Sequence, residues 1–318
     1  MGLRRDRKVT NGTILLLLVF CARGAGADEG RSERGSKGGG NGARKYLRVR
    51  RDQDGAPRAL ETAVTRFVGR QAEAGPVVVD LIGAVHVGEA SYYERLNGLF
   101  KAYDAVLYEL VAPPGTRVVP EQRDTGHPIS FLQDAMTKVL KLEFQLDQID
   151  YTASNMVHAD MSPAEFSETM KARGESFLKM FFRIMRQSMA TQLTQRNGPS
   201  DMELLVALIA KDRAYRLQRV MAEQFEDMEG QLSAINGPDG STIITERNKR
   251  ALRVLRDQLA KGQNKLAIFY GAGHLPDMAQ RLEKEFGLRR GKQRWVVAWT
   301  ITAPSEQPVR ESAAVEKP

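Results

Sequence analysis

The sequence contains very little cysteine: Cys21 is the only one among 318 residues. A single thiol excludes a disulfide framework and a zinc site built from several thiolates. The sequence also lacks the Gly-x-Ser-x-Gly motif that presents a nucleophilic serine in many α/β hydrolases. Catalysis by a cysteine or serine nucleophile is therefore poorly supported by the sequence.

Apolar runs long enough to span a bilayer are also missing. The N-terminal run Ile14–Ala22 has nine residues and is too short to cross a membrane. It follows a positively charged start and precedes Ala25-Gly26-Ala27, the small-x-small pattern of a cleavage site. We therefore expect residues 1–27 to be a secretory signal cleaved after Ala27, and the protein to be exported to the periplasm or the medium. A lipoprotein anchored through Cys21 is the alternative, although Phe20 is bulky where a lipobox requires a small residue.

Acidic residues are in deficit only at the N-terminus. The chain has 47 Lys and Arg against 39 Asp and Glu, a formal net charge of +8. Residues 1–60 hold 14 basic and 6 acidic residues, so residues 61–318 hold 33 of each sign and are neutral. The body of the protein therefore has no basic surplus that would suggest a nucleic-acid partner.

Composition divides the mature chain into a linker, a domain and a tail. The basic, Gly-rich residues 28–43 are typical of a flexible linker. Apolar runs alternate with amphipathic stretches over residues 44–302, which are expected to form a single α/β domain. The polar, proline-bearing residues 303–318 are expected to be a disordered tail.

The order of apolar runs within the domain predicts a mainly parallel sheet. A β-hairpin with its turn at 52–57 is expected first, followed by strands at 77–82, 105–108, 266–270 and 295–301 and helices at 90–103 and 277–286. Residues from about 129 to 260 have helical spacing and predict a large helical insertion, within which Ser162-Pro163 indicates a helix start.

Two similar motifs carry most of the functional information. Gly83-Ala84-Val85-His86 and Gly271-Ala272-Gly273-His274 each follow an apolar strand and precede a helix. Ligands of open α/β sheets bind beyond the carboxyl ends of the strands, where the glycines would let the backbone approach a ligand. One histidine after a strand is more often an ordinary loop residue, but the repeated context, among only four histidines, favours a functional pair.

A carboxylate follows a third predicted strand. Glu109 comes directly after the apolar run 105–108. Two imidazoles and a carboxylate from separate strand ends are a typical ligand set for a catalytic divalent ion. The sequence therefore predicts His86, Glu109 and His274 as metal ligands, with a solvated loop acid as the alternative for Glu109.

Other charged residues are candidates for supporting roles. Arg247 could bind a substrate carboxylate or a tetrahedral oxyanion, or could instead form a surface ion pair with Glu246. Glu89 and Asp277 each come three residues after a motif histidine. They are expected either to balance the partial positive charge of a helix N-terminus or to orient the histidines. Asp160 could reach the site from the insertion, or could simply cap its own loop.

The motifs resemble those of the TraB/PrgY/GumN-like family, to which the animal Tiki proteases also belong. The matching residues are Gly83–His86, Gly271–His274, Glu109 within Tyr-Glu-Leu, and Glu246-Arg247-Asn248 before the second motif, in a resemblance that spans roughly residues 75–301. This resemblance implies a fold related to the erythromycin-esterase and ChaN-like group. It also implies a metalloprotease that uses manganese or cobalt, with zinc as a further option, although some members are regarded as pheromone-shutdown factors without proven catalysis.

The leading hypothesis is an exported, metal-dependent hydrolase that acts on a peptide or a related small amide. In this hypothesis Glu109 and Arg247 are catalytic, and Arg247 stabilises developing negative charge. A metal-free hydrolase in which a His–Glu pair acts as general base towards an ester is the second hypothesis. The third is a non-catalytic exported protein that binds a peptide or pheromone, aided by the methionine-rich stretch Met156–Met228. The sequence leaves the oligomeric state open.

Overall fold

The structure of the protein is a computed structural model that describes residues 45–71, 75–113, 115–116, 142–176, 210, 212–236 and 239–302. The predicted signal, linker and tail lie outside the described residues, as do large parts of the predicted insertion and four of the nine methionines of the stretch Met156–Met228. No helix within the described ranges is long and apolar enough to cross a membrane.

The strands form one mixed sheet and one small separate pair. They are β1 (Leu47–Arg51), β2 (Pro57–Gln71), β3 (Gly75–Ala84), β4 (Val87–Gly88), β5 (Ala105–Tyr108), β6 (Glu143–Phe144), β7 (Met156–His158), β8 (Lys265–Gly271) and β9 (Arg289–Thr300). The main sheet has the order β1-β2-β3-β8-β5-β7, and β9 pairs with β2, whereas β4 and β6 pair only with each other.

The sheet has an antiparallel half and a parallel half. β1, β3 and β9 all run antiparallel to β2, and the β1–β2 hairpin turns at 52–57 as predicted. β3, β8, β5 and β7 run parallel to one another. The α/β class is therefore confirmed, and the sheet is mixed, with its parallel strands in one block.

The helices cover the sheet and connect its strands. They are α1 (Ala90–Phe100), α2 (Gln145–Gln148), α3 (Pro163–Ala172), α4 (Arg213–Asn236), α5 (Arg247–Ala260) and α6 (Leu275–Phe286), together with a π-helix at Thr242–Glu246 and a 3₁₀ turn at Ala272–His274. Helix α3 starts as the sequence predicts: Ser162 is its N-cap in a capping box with Glu165, and Pro163 is its first residue.

The predicted helical insertion, at about residues 129–260, also contains two short strands in its described part. Strand β6 pairs with β4, and strand β7 pairs with β5 and so extends the main sheet. Three residues are too few for an alternating pattern to identify a strand, and Met156-Val157-His158 is defined as one only by its partner.

The core fixes the loop that carries the first histidine. Most apolar side chains of β3, and those of β5 and β8, are almost fully buried, and α1 packs Tyr92, Tyr93, Leu96 and Phe100 into the same core. The Tyr92 hydroxyl donates to the carbonyl of Gly83 at 3.0 Å, and the Tyr93 hydroxyl donates to the carbonyl of Val85 at 3.1 Å. Helix α1 therefore holds the backbone that leads into His86.

Candidate active site

Each of the four parallel strands ends next to a polar residue at the same edge of the sheet. His86 follows β3, His274 follows β8, Glu109 follows β5, and Asp160 follows β7. The sequence suggested that Asp160 would reach the site from a helical insertion. In the structure it instead follows the end of a strand, β7. The register of the sheet brings residues that are distant in sequence to neighbouring positions.

Arg247, the first residue of α5, links the carboxylates of this cluster. Its Nη2 donates to Oε1 of Glu109 and to Oδ2 of Asp160 at 2.6 Å each, and its Nε donates to Oδ1 of Asp160 at 3.0 Å. The side chains of Arg247 and Asp160 are 6% and 0% exposed. Burial alone would lower the pKa of Arg247, but Asp160 and Glu109 raise it above its ordinary value. The surface ion pair with Glu246 that the sequence allowed is not formed.

Glu109 is a buried carboxylate held on both oxygens. Oε1 accepts from Arg247, and Oε2 accepts from the backbone N–H of Gly271 at 2.7 Å. Burial alone would raise the pKa of Glu109, but Arg247, the two motif histidines and the Gly271 N–H outweigh it, so the net pKa is lowered. Glu109 is therefore a charged group at neutral pH.

The motif glycines allow close contacts around the site. A Cβ atom on Gly271 would stand 3.3 Å from Oε2 of Glu109, which is closer than most side chains tolerate. A Cβ atom on Gly83 would contact the carbonyl of Ala63 and the side chain of Leu275 at 3.4 Å each. Gly271 thus serves the approach of Glu109, whereas Gly83 serves the packing of β3.

His274 is the histidine that contacts the charged cluster. Its Nε2 lies 3.5 Å from Oε1 of Glu109 and 3.5 Å from Nη1 of Arg247. The ring packs edge-on against Tyr270, with 5.3 Å between ring centroids. Burial lowers the pKa of His274 to about 4, with Glu109 opposing this effect and Arg247 adding to it. The imidazole is therefore neutral at neutral pH.

Asn248, beside Arg247, contacts the other side of the same histidine. Its Oδ1 lies 2.7 Å from Nδ1 of His274, and its Nδ2 donates to the His274 carbonyl at 3.0 Å and to Oδ2 of Asp277 at 2.8 Å. The sequence alone does not indicate Asn248 or Tyr270 as residues of the site. The only signal for Asn248 was its place in the Glu246-Arg247-Asn248 match, and Tyr270 reads as an ordinary strand residue.

His86 lies at the edge of the cluster. Among the described residues neither of its ring nitrogens makes a hydrogen bond, and much of the residue is exposed. Even so, enough protein surrounds the ring that burial lowers the pKa of His86, while the charges of Glu109 and Arg247 act on it in opposite directions. His86 is therefore close enough to Glu109 and Arg247 for their charges to act on it, although it forms no hydrogen bond with either.

A π-helix delivers both Arg247 and Asn248 to the site. Residues Thr242–Glu246 form this helix directly before α5, and such segments are frequent at functional sites. The loop after α3 holds it in place: Oε2 of Glu175 accepts from the Thr242 N–H at 3.0 Å, and Arg173 donates to the carbonyls of Asp239 and Gly240 at 2.9 and 2.8 Å.

Two of the predicted supporting residues do not contact the cluster. Oε1 of Glu89 accepts from the backbone N–H of Thr300 at 2.6 Å, so Glu89 ties the start of α1 to β9. Glu246 pairs with Lys249 at 2.8 Å and with Arg173 at 3.5 Å. His158, at the end of β7, places its Nε2 2.6 Å from the carbonyl of Leu110, which does not belong to the charged cluster.

The predicted divalent ion is not matched by the arrangement of these side chains. Within the described ranges no group of three or more His, Cys, Asp or Glu residues is placed to hold a metal ion. Both oxygens of Glu109 and both of Asp160 already accept hydrogen bonds from Arg247 or Gly271. A three-ligand ion would require Glu109 to release Arg247, so the metal stays a prediction.

Comparisons with protein-family models, with curated proteins and with solved structures found no match to this chain. The resemblance of the two Gly-x-x-His motifs to the TraB/PrgY/GumN-like family therefore rests on the residues themselves.

Proposed function

We propose that the protein is an exported hydrolase of the TraB/Tiki type that works without a resident metal. Its substrate is an ester or a peptide-like amide. The observation that carries this proposal is the neutral, buried imidazole of His274, whose Nε2 faces Glu109 and Arg247 at 3.5 Å each. The relation to the erythromycin-esterase and ChaN-like fold group belongs to the same proposal. It is supported by the parallel block of strands, in which β3 and β8 are each followed by a motif histidine, His86 and His274.

His274 is the general base in this scheme. A water molecule between Nε2 of His274 and the carboxylate of Glu109 would transfer its proton to Nε2 as it attacks the carbonyl carbon. The low pKa of His274 keeps the ring unprotonated, and thus able to accept a proton, at neutral and mildly acidic pH. Glu109 orients the water and compensates the charge of the imidazolium that forms.

Arg247 supplies positive charge where the carbonyl oxygen becomes negative. Its Nε and Nη2 are bonded to carboxylates, and one hydrogen of Nη1 faces Nε2 of His274 at 3.5 Å. The second hydrogen of Nη1 is the one that can donate to an oxyanion. Because Asp160 fixes the guanidinium through two hydrogen bonds, the donor is in place before the reaction starts.

A metal-dependent hydrolase is the second candidate, and one distance favours it. Nε2 of His274 and Oε1 of Glu109 are 3.5 Å apart. Two ligands about 2.0–2.2 Å from one tetrahedral ion have a similar separation, roughly 3.4 Å. In this candidate the ion would be manganese, cobalt or zinc, and Glu109 would have to leave Arg247 to bind it.

Hydrolysis of p-nitrophenyl esters and of a fluorogenic peptide library, with and without chelator, separates the candidates. The metal-free scheme expects turnover that survives EDTA and that His274→Gln abolishes, while the control His158→Gln keeps it. Turnover that EDTA removes and manganese or cobalt restores, with bound metal that His86→Ala and His274→Ala lose, would establish the second candidate instead. Absence of turnover together with peptide binding that survives loss of both histidines would indicate a binding protein.

A further inference from the structure

The side chain of Asn248 is bonded on all of its polar atoms. Its Nδ2 carries two hydrogens, one donated to the His274 carbonyl and one to Oδ2 of Asp277. Its Oδ1 lies 2.7 Å from Nδ1 of His274. Asn248 is fully buried, so water does not compete for these bonds.

These contacts determine which way the amide faces. The carbonyl of His274 and the carboxylate of Asp277 can only accept hydrogen bonds. Rotating the amide by half a turn would place Oδ1 against both of these acceptors, with no proton between them. Nδ2 must therefore face them, and the carbonyl oxygen Oδ1 must face the imidazole.

An acceptor at 2.7 Å from Nδ1 requires that Nδ1 carry the proton. In the neutral ring the other nitrogen, Nε2, then holds the lone pair. We infer that Asn248 and Asp277 are positioning residues, which hold His274 as its Nδ1-protonated tautomer and so direct the lone pair of Nε2 towards Glu109 and Arg247. Asp277 is itself held by Arg281, whose Nε donates to its Oδ2 at 2.8 Å.

The opposite tautomer has a stable arrangement of its own, which is why it must be prevented. A proton on Nε2 could be donated to Oε1 of Glu109, 3.5 Å away. The ring would then have no lone pair on the side that faces the carboxylate and could not accept a proton from water there. The statement about the tautomer stands on geometry alone, whereas its consequence for catalysis rests on the proposed function.

The tautomer can be read from two-bond ¹H–¹⁵N correlations of the imidazole rings in the mature protein at neutral pH. The whole chain has only four histidines, and the signals of His274 are those that disappear in His274→Gln. We expect wild type to show the Nδ1-protonated pattern and Asn248→Leu to show the Nε2-protonated pattern.

The matched control is Asn155, whose amide also donates to two buried acceptors, the carbonyls of Phe100 and Tyr103, at the opposite end of β7. Asn155→Leu should leave the His274 pattern unchanged. An Nε2-protonated His274 in wild type would overturn the inference even if Asn248→Leu did not fold, and so would an unchanged tautomer in a folded Asn248→Leu.

If the enzyme turns over a substrate, Asn248→Leu should also lower kcat by about 10- to 100-fold. Failure to find any substrate would count against the proposed function and not against the tautomer.

Discussion

Arg247 and Asp160 form a two-point ion pair in the interior of the protein, with Nε to Oδ1 at 3.0 Å and Nη2 to Oδ2 at 2.6 Å. The same Nη2 also reaches Glu109. Two carboxylates therefore surround one guanidinium, and with neutral histidines the cluster carries a net charge of −1. A planar fork with several donors suits this arrangement, and a lysine ammonium would not reproduce it.

Removal of one member of this cluster should destabilise the protein strongly. Arg247→Met leaves Glu109 and Asp160 buried without a cation, which we expect to lower the free energy of unfolding by about 3–5 kcal/mol. Arg247→Met combined with Asp160→Leu should cost less than the two single changes added together, because the partners act as a unit. Urea denaturation followed by circular dichroism measures both effects.

An exposed ion pair provides the comparison for this prediction. Arg256 and Glu285 lie 3.1 Å apart on α5 and α6, with side chains 53% and 36% exposed. Glu285→Gln should change the free energy of unfolding by less than about 1 kcal/mol. If Glu285→Gln and Arg247→Met lowered the free energy of unfolding equally, burial would not be what makes the Arg247 ion pair important for stability.

The backbone at Gly271 is expected to be sensitive to a single methyl group. A Cβ atom there would come within 3.3 Å of Oε2 of Glu109. The Gly271 N–H holds this oxygen, and Arg247 holds the other oxygen, Oε1. Gly271→Ala should displace Glu109, cost about 1–3 kcal/mol of stability and lower kcat at least tenfold. Gly98→Ala, in open space on α1, should instead be neutral or slightly stabilising. An unaltered kcat in Gly271→Ala would argue against a precise position for Glu109.

The sequence was sufficient to predict that His86, Glu109 and His274 lie at one edge of a sheet. Apolar runs locate the ends of strands, and parallel strands present those ends on the same side. What could not be predicted is which of these residues touch. The order β3-β8-β5-β7 depends on pairing between segments that are far apart in sequence, and this order places His274, rather than His86, directly against Glu109.

Asp160 and Asn248 show two further limits of the sequence. Asp160 lies 87 positions before Arg247 and follows a strand of three residues that no hydrophobic pattern identifies. Asn248 bonds His274 through its side-chain amide. An amide does not titrate, so asparagine does not stand out in a sequence as a candidate acid or base. Both residues act through a neighbour, and only the tertiary structure identifies that neighbour.

The hydrogen bonds that Arg173 donates next to the π-helix are expected to affect turnover more than stability. Arg173 is 27% exposed on its side chain and donates to the carbonyls of Asp239 and Gly240, just before the helix that leads into Arg247. Arg173→Ala should therefore cost about 1 kcal/mol of stability but lower kcat severalfold, because the start of α5 is freed to move. Arg95→Ala is the control, since Arg95 donates to the carbonyl of Val297 far from this helix. Equal kcat values for the two variants would disprove a positioning role for Arg173.

His274 should make the stability of the protein depend on pH below neutrality. The unfolded chain protonates this histidine near its ordinary pKa of 6.5, whereas in the folded protein the pKa is about 4. Between these values the unfolded state binds more protons, so the free energy of unfolding should fall as the pH falls from 6.5 to 4, and this group should contribute no slope above 6.5. Urea denaturation at a series of pH values should show a smaller slope over this window in His274→Gln than in wild type. Identical slopes in wild type and His274→Gln would mean that the folded protein accepts the proton as readily as the unfolded chain, and that His274 is not the desolvated base proposed for the reaction.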